Sequence, residues 1–333
     1  MINVRRATIE DIPMIMQFLD EHWLKGYALA HNRELFEWQF VRGEKVNIWI
    51  GIDEEADKMY AMQGVVVYSN DEKPDISGML WIALKSEDPL LAFEVQDFFN
   101  RDFKDSTIYT IGLRSDAVKI NRKLGNDVTY MRHYYRLSDI DGYHIAIIKN
   151  KVIPSISDSG YRLYPVTTIE EIKRYIPLNT LKSVSPHKDY EYLEWRYLNH
   201  PVFKYDLWSM GTQIDNSTGL LVTRTETYKN YRSCKIVDYY GDDYLFSQIG
   251  TAIDQLLQQE KYEYIDVYSF GMDENAYKKA GFVECDSYSE NIIPNNFQPY
   301  VPENSEIAII NPASQNVRFF RGDSDQDKPR LYM

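Results

Sequence analysis

The chain repeats itself once, and this internal repeat constrains its fold more than any other feature of the sequence. Four short motifs of the first half return in the same order in the second half, at a nearly constant spacing of about 160 residues. They are Thr8–Ile12 with Thr168–Ile172, Phe36–Phe40 with Leu193–Tyr197, Leu124-Gly125 with Ala280-Gly281, and Ile145–Ile148 with Ile307–Ile310. Order and spacing together predict two copies of one domain, each of about 150 residues, which is an ordinary domain size.

Residues 149–160 separate the copies, because this stretch is rich in Ser and contains Pro and Gly, the composition of a linker. We predict an N-terminal domain over residues 1–150, a C-terminal domain over 160–312 and an acidic tail over 313–333. Within the tail, Asp323–Asp327 mimics a calcium loop but lacks the Gly and the distal Glu that such a loop needs. We therefore expect the tail to be a solvated end.

Both halves show the same alternation of predicted strands and helices. Thr8 is placed to cap the first helix, with Asp11 three residues later. Strands that alternate with helices predict a mixed α/β sheet in each half.

Charge and composition limit the partners. The 37 basic and 50 acidic residues give a net charge of −13, which disfavours a nucleic-acid partner. Two cysteines, Cys234 and Cys285, provide neither a disulfide framework nor a metal-binding spacing. The N-terminal sequence has no apolar signal region and no long apolar run follows, so we expect a cytoplasmic protein that does not enter a membrane.

The stretch Glu263–Phe282 reads as a buried strand, a turn containing Gly and a short helix. Gly281 suits the left-handed residue that ends this helix, and Tyr277 lies one turn earlier. This arrangement resembles the end of the acyl-CoA-binding core in the GNAT acyltransferase superfamily. The resemblance implies that Tyr277 is catalytic and protonates the departing CoA thiolate, while a packing role is the alternative.

The same resemblance extends over both halves. It implies an α/β fold of two tandem GNAT-like domains with mixed, mainly antiparallel sheets, and acyl-CoA as co-substrate without a metal. The family's diphosphate loop, Arg/Gln-x-x-Gly-x-Gly/Ala, is degenerate both at Lys85–Ala92 and at Tyr240–Ser247. In the first copy we expect Pro89 at the first helical position, with Glu87 or Asp88 as its cap. The expected CoA-binding residues are Lys85, Asp88, Leu90, Leu91 and Ala92.

The second half also carries the candidates for acceptor chemistry. Asp238 lies on a predicted strand and could receive the proton of an attacking amine, although a solvent-facing strand residue is the alternative. The predicted substrate-binding residues are Trp195, Arg196, Tyr197, His200, Tyr239 and Tyr240. Trp195 has Trp38 as its counterpart, which favours packing for that residue.

Three motifs, "EWRYLNHP", "HYYRL" and "FFRGDSDQD", together with the tandem arrangement, resemble the FdhC-type nucleotide-sugar N-acyltransferases of bacterial surface-polysaccharide biosynthesis. The resemblance implies transfer of an acetyl or 3-hydroxybutanoyl group to the amine of a sugar such as a dTDP-3-amino-3,6-dideoxyhexose, for O-antigen or capsule synthesis. We expect both substrates to meet between the halves, and a homodimer is compatible with this scheme. A peptidoglycan-bridge aminoacyl transferase, which must bind tRNA, and a catalytically inactive binding protein are the alternatives.

Overall fold

A computed structural model describes residues 2–85, 88–286, 289–312, 316–324 and 326–331. Strands and helices alternate along both halves. The strands are, in chain order, β1 Ile2–Arg6, β2 Val41–Arg42, β3 Lys45–Val46, β4 Ile48–Asp53, β5 Lys58–Val67, β6 Ile76–Ala83, β7 Ile108–Leu113, β8 Val128–Tyr130, β9 Arg132–Leu137, β10 Arg162–Val166, β11 Asp206–Gly211, β12 Gly219–Tyr228, β13 Tyr231–Tyr240, β14 Tyr262–Phe270, β15 Val283–Glu284, β16 Asn296–Phe297, β17 Tyr300–Val301, β18 Ala308–Ile310 and β19 Phe319–Phe320.

The helices are mostly short and lie between the strands. They are α1 Ile12–His22, α2 Ala28–His31, α3 Arg33–Phe40, α4 Leu91–Asp102, α5 Ser115–Lys123, α6 Ile169–Tyr175, α7 Leu178–Leu181, α8 Tyr190–Leu193, α9 Asp243–Ser247, α10 Gly250–Glu260 and α11 Glu274–Lys279, with 3-10 turns at Ile9–Asp11 and Ile214–Asn216 and a π-helical turn at Glu194–Leu198. Over the described ranges, none of these helices is both long and apolar enough to cross a membrane.

The first helical segment of each half, the 3-10 turn Ile9–Asp11 that leads into α1 and the helix α6, begins in the same way. The backbone N–H of Thr8 donates to Oδ2 of Asp11 at 2.7 Å, and the N–H of Thr168 donates to Oε2 of Glu171 at 3.2 Å. Oγ1 of Thr168 also accepts a hydrogen bond from the Glu171 N–H. These contacts satisfy N–H groups that a helix start leaves unpaired, so the repeated Thr and acidic residues fix both starts locally.

The two large sheets are mixed and mainly antiparallel. The first has the order β1-β4-β5-β6-β7-β18-β8, and the second has β10-β11-β12-β13-β14-β9-β15, with β19 added on β14. The parallel pairs are β6–β7 and β13–β14, and the remaining pairs of the two sheets are antiparallel over the described strands. The prediction of an α/β fold with mixed, mainly antiparallel sheets is confirmed.

The halves exchange one strand each. β9 comes from the first half but lies between β14 and β15 of the second sheet, where Leu137 pairs with Tyr264. β18 comes from the second half but lies between β7 and β8 of the first sheet, where Ala308 pairs with Tyr130. Each sheet therefore needs a strand from the other half, while the boundary at residues 149–160 stays a prediction.

Trp38 and Trp195, which the repeat equates, meet between the halves. Their rings stack with centroids 4.7 Å apart. Each indole N–H donates to the other residue's backbone carbonyl, at 3.1 Å from Trp38 and 2.8 Å from Trp195. Mutual contact of this kind is what a two-fold relation between copies produces. The Arg42 guanidinium lies 4.1 Å from the Trp195 ring, so Trp195 has a packing position rather than a free face.

The strand exchange predicts that neither half folds alone. A fragment of residues 1–150 would lack β18 and would carry β9 without its partners, and residues 151–333 would lack β9. Unpaired strand edges of this kind favour aggregation. We expect each fragment to be insoluble or to give poorly dispersed amide NMR spectra, and co-expression to restore a cooperatively unfolding complex. Cooperative unfolding of either fragment by itself would contradict this expectation.

Candidate functional site

In each large sheet, two parallel strands begin together and then part. The last pair is Gly78 with Thr110 between β6 and β7, and Ile236 with Val267 between β13 and β14. Both β6 and β13 shift register against the preceding strand near this point, and Leu80 has a φ of 51°. Bulges bend a strand away from its neighbour. We call the gap after Gly78 and Thr110 the first cleft, and the gap after Ile236 and Val267 the second cleft.

The chain's own C-terminal segment, residues 316–324 and 326–331, fills the second cleft. Its strand β19 pairs antiparallel with the end of β14. The Gly322 N–H donates to the Val237 carbonyl of β13 at 2.7 Å. A Cβ at Gly322 would lie 2.3 Å from the Tyr197 hydroxyl and 3.0 Å from the Val237 oxygen, so this close approach requires glycine. The segment thus contacts the backbone of both parted strands.

The expectation of a solvated acidic tail is wrong for the described part of this segment. Asp323 and Asp327 are buried. Lys188 Nζ lies 2.8 Å from Asp323, and Arg224 donates to Asp327 at 2.7 Å. Burial alone would raise the pKa of Asp327, but the Arg224 guanidinium holds that pKa below its usual range. These acids are internal because buried bases from the second half pair with them.

Asp238 lies at the centre of a buried polar cluster. One carboxylate oxygen accepts hydrogen bonds from Lys188 Nζ at 2.7 Å and from the hydroxyls of Tyr197 and Tyr240, both at 2.6 Å. The other accepts the backbone N–H of Tyr239 at 2.9 Å. Asp238 is 0 % exposed, so the alternative of a solvent-facing strand residue is wrong. The structure brings three predicted site residues together here, and the proton-accepting role of Asp238 stays a prediction.

One lysine in this cluster serves two carboxylates. Lys188 lies 2.7 Å from Asp238 and 2.8 Å from Asp323. Burial and repulsion by Asp238 raise the pKa of Asp323 from 3.8 to about 6, although Lys188 acts in the opposite direction. One ammonium cannot fully compensate two buried carboxylates, so the pKa of Asp323 stays above its ordinary value.

Tyr277 is packed in the core of the second half. Its ring stacks on Tyr134 of the exchanged strand β9 with centroids 4.2 Å apart. Its hydroxyl donates to Ser269 Oγ at 2.6 Å, and the side chain is 1 % exposed. Burial raises the pKa of Tyr277 well above its usual range. The helix and the positive φ of Gly281 are as predicted, but the catalytic role of Tyr277 stays a prediction.

Arg196 and His200 are buried beside the C-terminal segment. Arg196 donates to the backbone carbonyls of Gly322 at 3.3 Å and Asp327 at 2.7 Å. His200 Nδ1 accepts two backbone N–H groups, from residues 202 and 203, and burial lowers its pKa to about 3. Tyr239 donates to the backbone carbonyl of residue 242 at 2.6 Å. The substrate-binding roles predicted for these residues remain untested.

The CoA-binding residues expected in the first half lie between the end of β6 and the first turn of α4. The helix begins at Leu91, so the placement of Pro89 at the first helical position is wrong. Asp88 Oδ1 accepts a hydrogen bond from the Leu90 N–H at 2.8 Å. This contact closes a turn over residues 88–90, and the helix begins after it. Leu91 is buried, Ala92 is partly buried, Lys85 is exposed and Leu90 is 60 % exposed. The alternative cap, Glu87, lies outside the described residues.

The corresponding loop of the second half is held by the C-terminal segment. Arg318 donates to the Gly241 carbonyl and, at 2.7 Å, to Asp243. Where the family resemblance expects a diphosphate, this loop therefore presents an acid that pairs with an internal arginine.

A pocket of about 470 Å³ lies between the halves, and we call it the seam pocket. It includes Gly112, two residues beyond the last β6–β7 pair, so it adjoins the first cleft. The two halves and the C-terminal segment all contribute to its lining, which consists of Trp23, Leu24, Tyr27, Gly112, Arg114, Phe203, Arg224, Glu226, residues 295–298, residues 305–307, Arg321, residues 326–328 and Arg330. Among the described residues, no group of three His, Cys, Asp or Glu side chains is placed to hold a metal ion.

Sequence reasoning missed Lys188, Arg224 and Arg321. Lys188 and Arg224 each pair with an acid of the C-terminal segment that lies more than a hundred residues away, and no local pattern in the sequence indicates those two contacts. The adjacent pair Phe319-Phe320 was the available signal, because two aromatic residues next to an acidic stretch must be buried against something.

Asp323→Asn is expected to remove a pH dependence of stability. The raised pKa means that this carboxyl favours folding below about pH 4 and loses that contribution as the pH rises through 6. Relative to the variant, the wild-type free energy of unfolding should fall by up to about 3 kcal/mol between pH 4 and 7.5. Urea unfolding at both pH values measures this, with Asp139→Asn, at a carboxylate 74 % exposed, as the control. Parallel pH profiles for wild type and Asp323→Asn would contradict the assignment.

No protein-family model and no curated protein sequence matches the chain. Solved structures do. A probable N-acyltransferase from Enterococcus faecalis V583 has a TM-score of 0.58 at 10 % identity, over 92 % of this chain and 72 % of that one. A GCN5-related N-acetyltransferase from Anabaena variabilis has a TM-score of 0.56 at 11 % identity, over 93 % and 72 %. Saccharomyces cerevisiae N-myristoyltransferase, solved with bound myristoyl-CoA, has a TM-score of 0.50 at 10 % identity, over 92 % and 79 %.

At these identities the similarity concerns the fold alone. It extends over nearly the whole chain rather than over one half. Together with the repeated course of strands and helices, it shows that the chain folds as tandem GNAT-like domains.

Proposed function

We propose that the protein is an acyl-CoA-dependent N-acyltransferase that binds acyl-CoA in the first cleft and its amine acceptor in the seam pocket. The observation that carries the proposal is the difference between the two clefts. β19 pairs with β14 inside the second cleft, whereas no described strand pairs with β6 or β7 inside the first. The seam pocket reaches Gly112, two residues beyond the last β6–β7 pair, and the Gln326 side chain lies against this glycine. In the proposal the amine meets the acyl group at this junction.

The acceptor that we propose is a nucleotide-linked amino sugar, such as a dTDP-3-amino-3,6-dideoxyhexose, in the synthesis of a surface polysaccharide. The neutral amine would attack the thioester carbonyl, and the C–S bond would break to release CoA as the thiolate. The proton that the nitrogen loses would pass to this thiolate, directly or through water, to give the amide and free CoA thiol. A backbone N–H of β6 beyond Gly78 would polarise the carbonyl oxygen. Most of the acceleration would come from holding the two substrates together.

Variants at the two helix starts test which half binds CoA. Leu90→Asp puts a carboxylate where we expect the diphosphate, and Leu90 is exposed, so the variant should fold. Tyr244→Asp makes the same change on α9 of the second half, at a residue 65 % exposed. Isothermal titration should show CoA affinity at least about tenfold weaker in Leu90→Asp, because two like charges would face each other, and unchanged in Tyr244→Asp. The reverse pattern would move the donor site to the second half.

Tyr277→Phe tests whether Tyr277 is the proton donor to the CoA thiolate, as the sequence predicts. If the reaction takes place at the first cleft, the buried Tyr277 acts as a packing residue, and the variant should keep kcat within about threefold of wild type. A proton donor to the leaving thiolate would instead make kcat fall by about 10²–10⁴ with KM little changed. That loss, in a variant with unaltered thermal unfolding, would place the chemistry in the second half.

A binding protein without activity is the second candidate, because Tyr277 and Asp238 are both buried. Acyl transfer from acetyl-CoA and 3-hydroxybutanoyl-CoA to a panel of amino-sugar nucleotides, followed by mass spectrometry, separates the two. CoA binding without any acylated product across that panel would favour the binding protein.

A further inference from the structure

The seam pocket carries an excess of positive charge. Its lining contains five cations, Arg114, Arg224, Arg321, Lys328 and Arg330, against three acids, Glu226, Glu306 and Asp327. The whole chain has a net charge of −13, so this lining departs from the rest of the molecule in sign. A concave site with a local excess of one charge attracts ligands of the opposite charge.

The basic side chains of the pocket differ in how fully acidic side chains of the protein neutralise them. Arg224 is neutralised, because Glu226 lies 2.6 Å away and Asp327 2.7 Å away. Arg321 is different. It donates to Asp266 at 3.0 Å, but Lys235 also faces that carboxylate at 3.4 Å. One buried acid thus faces two cations and also contacts His133 Nε2 at 3.0 Å, while Arg321 donates in addition to Asn295 Oδ1.

Arg321 is also incompletely satisfied. The side chain is 3 % exposed, and its Nε–H has no hydrogen-bond partner in the part of the chain that the structure describes. An unpaired N–H of a buried guanidinium is costly unless a further acceptor completes it. Burial and the nearby Arg321 also lower the pKa of Lys235 to about 8, which agrees with a local surplus of positive charge.

The pocket mouth adds cations that reach solvent. Arg114 is exposed and its guanidinium lies 4.7 Å from the Trp23 ring. Arg330 is exposed as well. Guanidinium groups match the planar, two-pronged geometry of phosphate and carboxylate oxygens better than ammonium groups do.

Aromatic rings lie next to these charges, and each has a basic group over it: Arg114 lies 4.7 Å from the Trp23 ring, Arg224 3.9 Å from Phe203 and Lys235 5.0 Å from Phe297. The rings of Trp23, Phe203 and Phe297 line the pocket. Gln298 lines it too, and its Oε1 has no hydrogen-bond donor among the described residues. A ligand with an anionic group, a flat ring and an N–H donor would use all of these features. The volume of the seam pocket, about 470 Å³, is within the range of small-molecule sites.

We propose that the seam pocket recognises the acceptor through a diphosphate, held by Arg321 at the base and by Arg114 and Arg330 at the mouth, with a nucleobase against the aromatic wall. This assignment rests on the proposed function, because it treats the ligand of the pocket as the acyl acceptor. Arg321 and Arg330 belong to the C-terminal segment, so the segment that fills the second cleft also supplies acceptor specificity for the first.

Thymidine diphosphate is the probe. It is titrated into the full-length protein in the presence of saturating CoA, which blocks any diphosphate site in the first cleft. We expect micromolar binding that weakens as salt is raised. Arg114→Ala and Arg330→Ala, both at exposed positions, should each weaken it about tenfold and leave CoA affinity unchanged. Arg101→Ala, at an exposed arginine of α4 outside the pocket, is the matched control and should bind as wild type.

Galacturonate, titrated in the same way, separates a carboxylate ligand from a diphosphate. Absent or millimolar binding of galacturonate supports the diphosphate, and binding as tight as that of thymidine diphosphate overturns it. Failure of thymidine diphosphate to bind, or equal losses in Arg114→Ala and Arg101→Ala, also overturns the proposal. A separate titration with CoA alone tests the proposed function. If the wild-type protein does not bind CoA, the proposed function is wrong, whether or not thymidine diphosphate binds.

Discussion

The insertion of the C-terminal segment between β13 and β14 is the interaction on which the rest of the site depends. Strands that part leave N–H and C=O groups that must find partners inside the protein. Here β19 and Gly322 provide those partners, and Lys188 and Arg224 pair with the acids that the segment brings inside. Because the segment contacts both parted strands of the second sheet and then lines the seam pocket, it links the filled cleft to the proposed acceptor site.

Duplication of one fold has therefore produced two halves with different surroundings. The reciprocal contact of Trp38 and Trp195 and the mutual exchange of β9 and β18 keep the symmetry of the repeat at the boundary. The symmetry ends at the clefts. Arg318 neutralises the acidic loop at Gly241, whereas Leu90 at the start of α4 remains exposed. In our proposal the first half retains the acyl-CoA site, and the second half supports the fold and provides contacts to the acceptor.

Most of the fold could be predicted from short sequence motifs and from patterns that repeat along the chain. The repeat, the alternation of elements, the Thr8 and Thr168 helix starts and Gly281 all depend on neighbours in the chain or on a motif that returns. The strand exchange could not be predicted this way, because the edge on which a strand pairs is decided by long-range contacts. For the same reason Asp323 and Asp327 looked like solvated acids, since their basic partners lie far away in the sequence. Among candidate site residues, Asp238 was chosen as a proton acceptor and Tyr197 and Tyr240 as substrate contacts, and neither their hydrogen bonds to one another nor their burial was foreseen.

A crystal structure of the protein with bound CoA tests the central claim most directly. Our account predicts the pantetheine arm between β6 and β7, the diphosphate at the start of α4, and residues 319–322 still paired with β13 and β14. CoA between β13 and β14, with those residues displaced, would contradict the account and return the reaction to the neighbourhood of Tyr277.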